Sequence, residues 1–242
     1  MSSVVLGMGE VGSALYHVLE DAGETVYGFD LVASRCRGTP SVKCEILHVC
    51  VPYLQGFHSV ICDYAVKYQP SELVIHSSVP PGTTEHLTWK GTTVYSPVRG
   101  VHKNMVSDLQ CYTKFWAGTQ TPVLFIQQMR RCNIKVEAWN DTCRSLELAK
   151  LLMDVVYYGW LIIFAQHVKL LACRCGVDSD KLWDFTDEIH KVLGNRPRMF
   201  SGKGINGHCI LPDVELLNDG FLDAVFSHDK YYRRNLEATK NG

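Results

Sequence analysis

The chain has 242 residues, 46% of them hydrophobic and 20% charged, and Lys+Arg 24 against Asp+Glu 25 leaves a formal net charge of −1. That length suits one large domain or two modest ones with a sizeable core. The charge balance leaves no electrostatic footprint for nucleic acid or an anionic membrane surface, and the composition is not that of a disordered or fibrous chain.

Short β-branched runs alternate with helical patterns through the first half, which predicts βαβ units and a parallel sheet. Strands are expected at Val4–Leu6, Thr25–Phe29, Ile46–Val51, Leu73–His76, Thr93–Tyr95 and Lys114–Ala117, with helices at Gly12–Ala22 and Phe57–Tyr68. A helix at Pro122–Cys132 and a strand at Ile134–Ala138 then close a first domain over residues 1–140. Beyond Asn140 the pattern turns helical. Asp141 or Thr142 can cap a long helix in which Leu146, Ala149, Lys150, Met153, Val156 and Tyr157 recur at helical spacing, running to about Gly176. A helix at Ser179–Leu193 and a glycine-bearing loop at Ser201–Cys209 follow, so residues 141–242 form a second, smaller and mainly helical domain. The fold class expected is thus α/β, a Rossmann-like parallel sheet domain followed by a helical one.

The ten cysteines are scattered, with no C-x-x-C pair. They read as thiols in a reducing, cytoplasmic setting rather than as a zinc site or a disulfide framework, and no metal is expected. The N-terminus lacks a basic leader and carries Glu10 early, unlike a signal peptide. The apolar run Val155–Ala165 is too short to span a bilayer and reads as a buried helix segment.

Gly7-Met8-Gly9-Glu10-Val11-Gly12 is a G-x-G-x-x-G that follows one strand and opens a helix, and the next strand leads to Asp30. The first glycine permits a tight turn, the second lets backbone approach a pyrophosphate, and the third lets helix pack on strand. Amides at the helix start then face the phosphates. A carboxylate at Asp30 is placed to accept from ribose hydroxyls and to repel a 2′-phosphate, so NAD is expected over NADP, although Arg35 and Arg37 follow closely. Val51 and Pro52, where the third strand ends, join the candidate cofactor-binding residues.

Three further segments are Ser77-Ser78-Val79-Pro80-Pro81-Gly82-Thr83-Thr84, Glu147-Leu148-Ala149-Lys150-Leu151 and Gly204-Ile205-Asn206-Gly207-His208-Cys209-Ile210-Leu211-Pro212-Asp213. Their order and spacing resemble the UDP-glucose/GDP-mannose dehydrogenase family, in a short form without that family's C-terminal UDP-binding domain. The resemblance implies that Ser78 lies beside the nicotinamide and that Cys209 is a nucleophile, forming a thiohemiacetal and then a thioester from an enzyme-held aldehyde. It also implies that Lys150 exchanges a proton with the substrate oxygen and that Asp213 matches the acidic residue after the cysteine motif. Asp154, four residues after Lys150, stands where the family usually has asparagine. The segment after Tyr95 lacks the family's glutamate and carries Arg99, His102 and Lys103, a cluster suited to an anionic group. The tail Asp229–Lys240 is either a substitute nucleotide-binding surface or a surface helix.

Three functions remain open on these residues. The first is an NAD-dependent dehydrogenase acting through Cys209 on a sugar nucleotide or smaller polar alcohol. The second is a β-hydroxyacid or 6-phosphogluconate-type dehydrogenase using Lys150 as acid/base. The third is a non-catalytic NAD-binding module. In the enzymatic readings Tyr157, Trp160 and Phe164 on the long helix suit a homodimer. The partners otherwise expected are a small-molecule substrate, with no nucleic acid and no membrane.

Overall fold

The computed structural model describes residues 1–39, 43–87, 89–100, 104–205 and 209–238. The chain forms two compact units, Met1–Lys150 and Leu151–Gly242.

The first unit is built on seven strands: β1 (Ser2–Leu6), β2 (Thr25–Phe29), β3 (Ile46–Val49), β4 (Glu72–Ile75), β5 (Thr92–Tyr95), β6 (Lys114–Gly118) and β7 (Val136–Ala138). Their order across the sheet is β2-β1-β3-β4-β5-β6-β7. Helices α1 (Glu10–Asp21), α2 (Phe57–Tyr68), α3 (Met105–Cys111), α4 (Val123–Arg131) and α5 (Cys143–Ala149) accompany it. β3 and β4 are apolar nearly throughout and wholly buried, as strands covered on both faces must be. Alternate residues serve opposite faces: Leu47, Leu73 and Ile75 pack with Ile61 and Leu146, whereas Ile46 and Val74 pack with Leu15, Phe125 and Met129.

The sheet is not parallel throughout. β5 and β6 pair antiparallel, Val94 opposite Gly118, while the other neighbours are parallel. Between these two strands lies the short α3, whose Met105 and Leu109 pack on the α1 side of the sheet.

α5 belongs to the first unit because its buried Leu146 and Cys143 join the sheet core, the Cys143 thiol donating to the Ala117 carbonyl at 3.2 Å. Thr142 caps it, accepting from the Ser145 amide at 3.2 Å. The same helical rod continues through a π-helical segment, Lys150–Val156, into α6 (Tyr157–Arg174). Its end is set by Gly176, whose φ of +67° is the left-handed conformation that closes a helix.

As one rod, Cys143–Arg174 spans 32 residues with mean hydropathy 1.6 in its most apolar window, long and apolar enough to cross a membrane. The contiguous apolar run Val155–Ala165 is one part of this longer rod. A core helix meets the same criterion, and Val155, Val156 and Ile163 do form the core of the second unit. There they pack with Ile205, Ile210, Val214, Leu222 and Val225 from the loop and helices α8 (Ile210–Leu217) and α9 (Asp223–Ala238). The remaining helix, α7 (Ser179–Leu193), is capped by the Asp178 carboxylate, which accepts from the Asp180 amide at 2.9 Å, and has no buried residue.

Candidate functional site

The glycine turn sits between β1 and β3, where the order of strands reverses direction, the place at which open α/β sheets bind ligands. Gly7 has φ +92°, and a Cβ there would stand 2.9 Å from the Cys50 and Val51 backbone. A Cβ on Gly12 would lie 1.8 Å from the Gly7 carbonyl oxygen, so no side chain fits. Gly9 is different: nothing lies within 4 Å of its would-be Cβ, and it faces open space. Two glycines therefore close the turn and the third leaves a free approach, which is the cradle a pyrophosphate needs.

Met8 is buried, its thioether packed over Gly28 of β2, where a Cβ would meet Sδ at 2.6 Å. Its carbonyl accepts from the Ser13 hydroxyl at 2.9 Å. Glu10 and Val11 begin α1, with Glu10 exposed. Asp30 Oδ2 accepts from the Met8 amide at 2.8 Å and Oδ1 from the Val32 amide at 2.9 Å. This carboxylate thus fixes the glycine turn as well as facing the cleft, and each oxygen keeps a second lone pair for a ribose hydroxyl. The cleft itself holds about 450 Å³, lined by Gly7, Gly9, Asp30, Arg35, Val51 and Pro52 among others. These residues fit a dinucleotide.

Beside the cleft, a row of polar side chains runs through the sheet, hidden from solvent. His76 Nδ1 donates to the Ser96 carbonyl at 2.7 Å, and its Nε2 lies 3.0 Å from His48 Nδ1. His48 Nε2 lies 2.9 Å from Gln128 Oε1, and the Gln128 amide reaches the Ser3 hydroxyl at 3.1 Å. Lys114 Nζ donates to the carbonyls of Ser96 at 3.0 Å and Pro97 at 3.1 Å. Burial holds the imidazoles neutral, pushing His48 down to about 4 and His76 well below the usual histidine range. It also brings the Lys114 amine down to about 7, with Lys150 and Arg99 acting in the same direction. Nothing in the sequence pattern announced this row, because each member occupies a strand or helix position that reads as apolar core.

Glu147, three residues before Lys150, binds the Gly82–Thr84 turn through both carboxylate oxygens. It is fully buried; Oε2 accepts from the Gly82 amide at 2.5 Å, and Oε1 from the Thr84 amide at 2.9 Å and hydroxyl at 2.6 Å. It thereby ties the segment holding Ser78 to the helix holding Lys150. Ser78 is half-buried, and its neighbour Ser77 donates to the Val51 carbonyl at 2.6 Å. Lys150 and Asp154 are half-buried and lie on the π-helical segment. Such bulges, with their i→i+5 bonds, concentrate at functional sites.

In the loop after β5, Arg99 is committed to protein: its guanidinium donates to the Thr113 carbonyl at 2.6 Å and packs on the rings of Tyr112 and Phe115. His102 and Lys103 lie outside the described residues. A carboxylate does reach this loop, from α3: a Cβ on Gly100 would stand 2.6 Å from Asp108 Oδ2.

In the second unit Cys209 is half-buried at the N-terminus of α8, its carbonyl accepting from the Asp213 amide at 2.9 Å, and Asp213 is buried. Asn206, Gly207 and His208 lie outside the described residues. Over its described residues the tail lies in helix α9. Asp229 and Tyr232 are buried, and Arg233 is bound to Asp229 at 2.7 Å. All ten cysteines are free thiols, and among the described residues no cluster suits a metal ion.

No family model matches the sequence, and no curated protein matches it. Solved structures do resemble the fold. UDP-D-ManNAc dehydrogenase from Pyrococcus horikoshii superposes with a TM-score of 0.77 at 18% identity, over 96% of this chain and 69% of that one. UDP-glucose dehydrogenase from Pyrobaculum islandicum gives 0.74 at 18%, over 95% and 68%. Mycobacterium tuberculosis 3-hydroxyisobutyrate dehydrogenase gives 0.68 at 15%, over 96% and 91%. The chain therefore shares the fold of these structures, Rossmann-like with a helical C-terminal part.

Proposed function

We propose that the protein is an NAD-dependent dehydrogenase that oxidises a primary alcohol, a sugar nucleotide or a smaller polar alcohol, through a thioester on Cys209. The observation that carries the reading is the cleft at the strand reversal, with two glycines closing the turn, Gly9 open and Asp30 at its edge. Gly7, Met8, Gly9, Glu10, Val11 and Gly12 present the helix start to the diphosphate, Asp30 takes the ribose, and Val51, Pro52 and Ser78 border the rest. NAD, when bound, supplies the hydride acceptor.

The chain's own residues handle the proton and the carbon. Lys150 takes the alcohol proton as the carbonyl forms. The Cys209 thiolate then adds to the aldehyde carbon, forming a C–S bond while the oxygen is protonated, which gives a thiohemiacetal. Its oxidation leaves a thioester, and water releases the acid and restores the thiol. Asp154 and Asp213 are assigned to the same chemistry as neighbours of these two groups.

The decisive experiment counts NADH. The wild type forms two NADH per substrate consumed, whereas Cys209→Ala forms at most one. Two from the variant would exclude the thioester. A second reading, a hydroxyacid dehydrogenase using Lys150 alone, is favoured by the 91% coverage of the 3-hydroxyisobutyrate dehydrogenase, and it gives one NADH in both proteins. Cofactor binding is tested apart from turnover by Gly9→Ala. Its methyl group meets no protein atom, so the melting temperature holds while NAD affinity falls by about tenfold.

The partner proposed is a second copy of the chain, meeting it along the long helix. Tyr157 is 54% and Phe164 60% exposed there, whereas Trp160 is stacked on Phe221 within the unit.

A further inference from the structure

Among the described residues of the second unit, buried Asp229 and half-exposed Arg233 anchor a charge network. Asp229 of α9 is 3% exposed. Its Oδ1 accepts from the Gln166 side chain of α6 at 2.8 Å and from the Ile205 amide at 2.7 Å. Oδ2 accepts from Arg233 Nε at 2.7 Å, and Arg233 Nη2 donates to the Ile205 carbonyl at 2.6 Å. Both polar groups of one residue, Ile205, are thus held by one ion pair. One turn of chain earlier, the Tyr232 hydroxyl donates to the Gly202 carbonyl at 2.9 Å. Gly204, φ +127°, leaves the space the guanidinium fills, since a Cβ there would be 2.4 Å from Arg233 Cζ.

The far side of the thiol is seated as closely. Ile210, next to Cys209, lies against Gly159 of α6, where a Cβ would meet Ile210 Cγ2 at 2.8 Å. The chain is therefore fastened to α6 and α9 at Ile205 and again at Ile210, with Cys209 between. Helix packing alone does not explain a charged pair at this place. Apolar side chains of similar volume usually serve packing as well or better than a buried ion pair. What Asp229 and Arg233 add is direction: two hydrogen bonds that fix a single peptide.

We propose that Asp229 and Arg233 are positioning residues for Cys209, anchoring the chain at Ile205, four residues before the thiol. The inference rests on the reading of Cys209 as the nucleophile, but its test does not depend on turnover.

Iodoacetamide alkylation of Cys209 is followed by peptide mass spectrometry in the full chain, with hydrogen exchange of the α6, α8 and α9 peptides reporting unfolding in the same unit. Arg233→Ala removes the anchor at Ile205, and Cys209 should alkylate about fivefold faster while those helices stay protected. Arg233→Lys keeps the charge but not the forked donor, and should fall between the two. Where the enzyme turns over, kcat drops by about tenfold in Arg233→Ala with KM for NAD unchanged, as misplacement of a reacting group requires. A folded Arg233→Ala whose Cys209 reacts at the wild-type rate overturns the proposal. If Arg233→Ala also loses the protection of those helices, Arg233→Lys decides by the same criterion. Should Cys209→Ala retain both oxidations, the thioester reading fails while the alkylation result still judges the positioning.

Discussion

The sheet unit hides charge and the helical unit shows apolar surface. Buried in the first are His48, Glu72, His76, Lys114, Gln128 and Glu147; among the described residues of the second, Gln166, Asp213 and Asp229 are polar and buried. Conversely Phe164, Phe185, Phe200 and Phe221, each at least 60% exposed, all belong to the second unit. The buried carboxylates of the sheet unit share a task. Glu72 accepts from the Leu124 and Phe125 amides at 2.9 and 2.7 Å, at the start of α4, as Glu147 does at the turn of Gly82 and Thr84. In this unit internal charge completes backbone hydrogen bonding that helix caps leave undone: neither α4 nor the Thr84 turn has a side-chain cap of its own. The helical unit has its own apolar core and also leaves several large aromatic side chains exposed.

The largest effect should come from removing such a carboxylate. Glu147→Leu strands two amides and a hydroxyl in the interior, and the loss of stability in urea denaturation should exceed about 3 kcal/mol. A loss below about 1 kcal/mol would mean that Glu147 is incidental to the turn.

Lys114 gives a weaker and opposite case, because among the described residues no carboxylate pairs with it and its partners are neutral carbonyls. Its folded pKa of about 7 lies below the unfolded value of 10.5, so between these the unfolded chain binds the extra proton. Stability from the neutral amine is therefore present above 10.5 and lost as pH falls toward 7. His48, lowered from 6.5 to about 4, adds a second loss between those values. Thermal melts across pH should show both limbs in the wild type, and Lys114→Met should flatten the upper one while leaving the lower. An unchanged upper limb would show that the amine keeps its charge when folded.

Much of this was legible in advance, for reasons that differ between the units. The glycine turn, Asp30, α2 and α7 follow from local rules: turn chemistry, apolar periodicity and a capping residue. α9 was foreseen only as one alternative for Asp229–Lys240, a surface helix, and its buried stripe Val225, Asp229, Tyr232 stayed hidden because it carries an aspartate where the pattern expects an apolar residue. α3 is short, with only Met105 and Leu109 buried, too little for a period to register. The π-helical segment at Lys150 has no sequence signature at all, and the roles of Glu147 and Asp229 depend on backbone groups 63 and 24 residues away.

The apolar face of the helical unit provides the last and smallest effect on stability. Phe164 is 60% and Phe185 83% exposed, so neither gives the folded monomer much burial, and exposed substitutions away from the core usually change stability by less than about 0.5 kcal/mol. Association is another matter, because aromatic side chains carry a large share of interface energy. Light scattering should find the wild type dimeric, and Phe164→Ser with Phe185→Ser should shift it toward monomer while the melting temperature measured at low concentration stays put. Phe164 also contacts Trp183 edge-on, with ring centroids 6.1 Å apart, so a fall in the monomer's melting temperature would assign the phenylalanine to packing within its own unit. A dimer that survives both changes would place the partner elsewhere than on these exposed aromatic side chains.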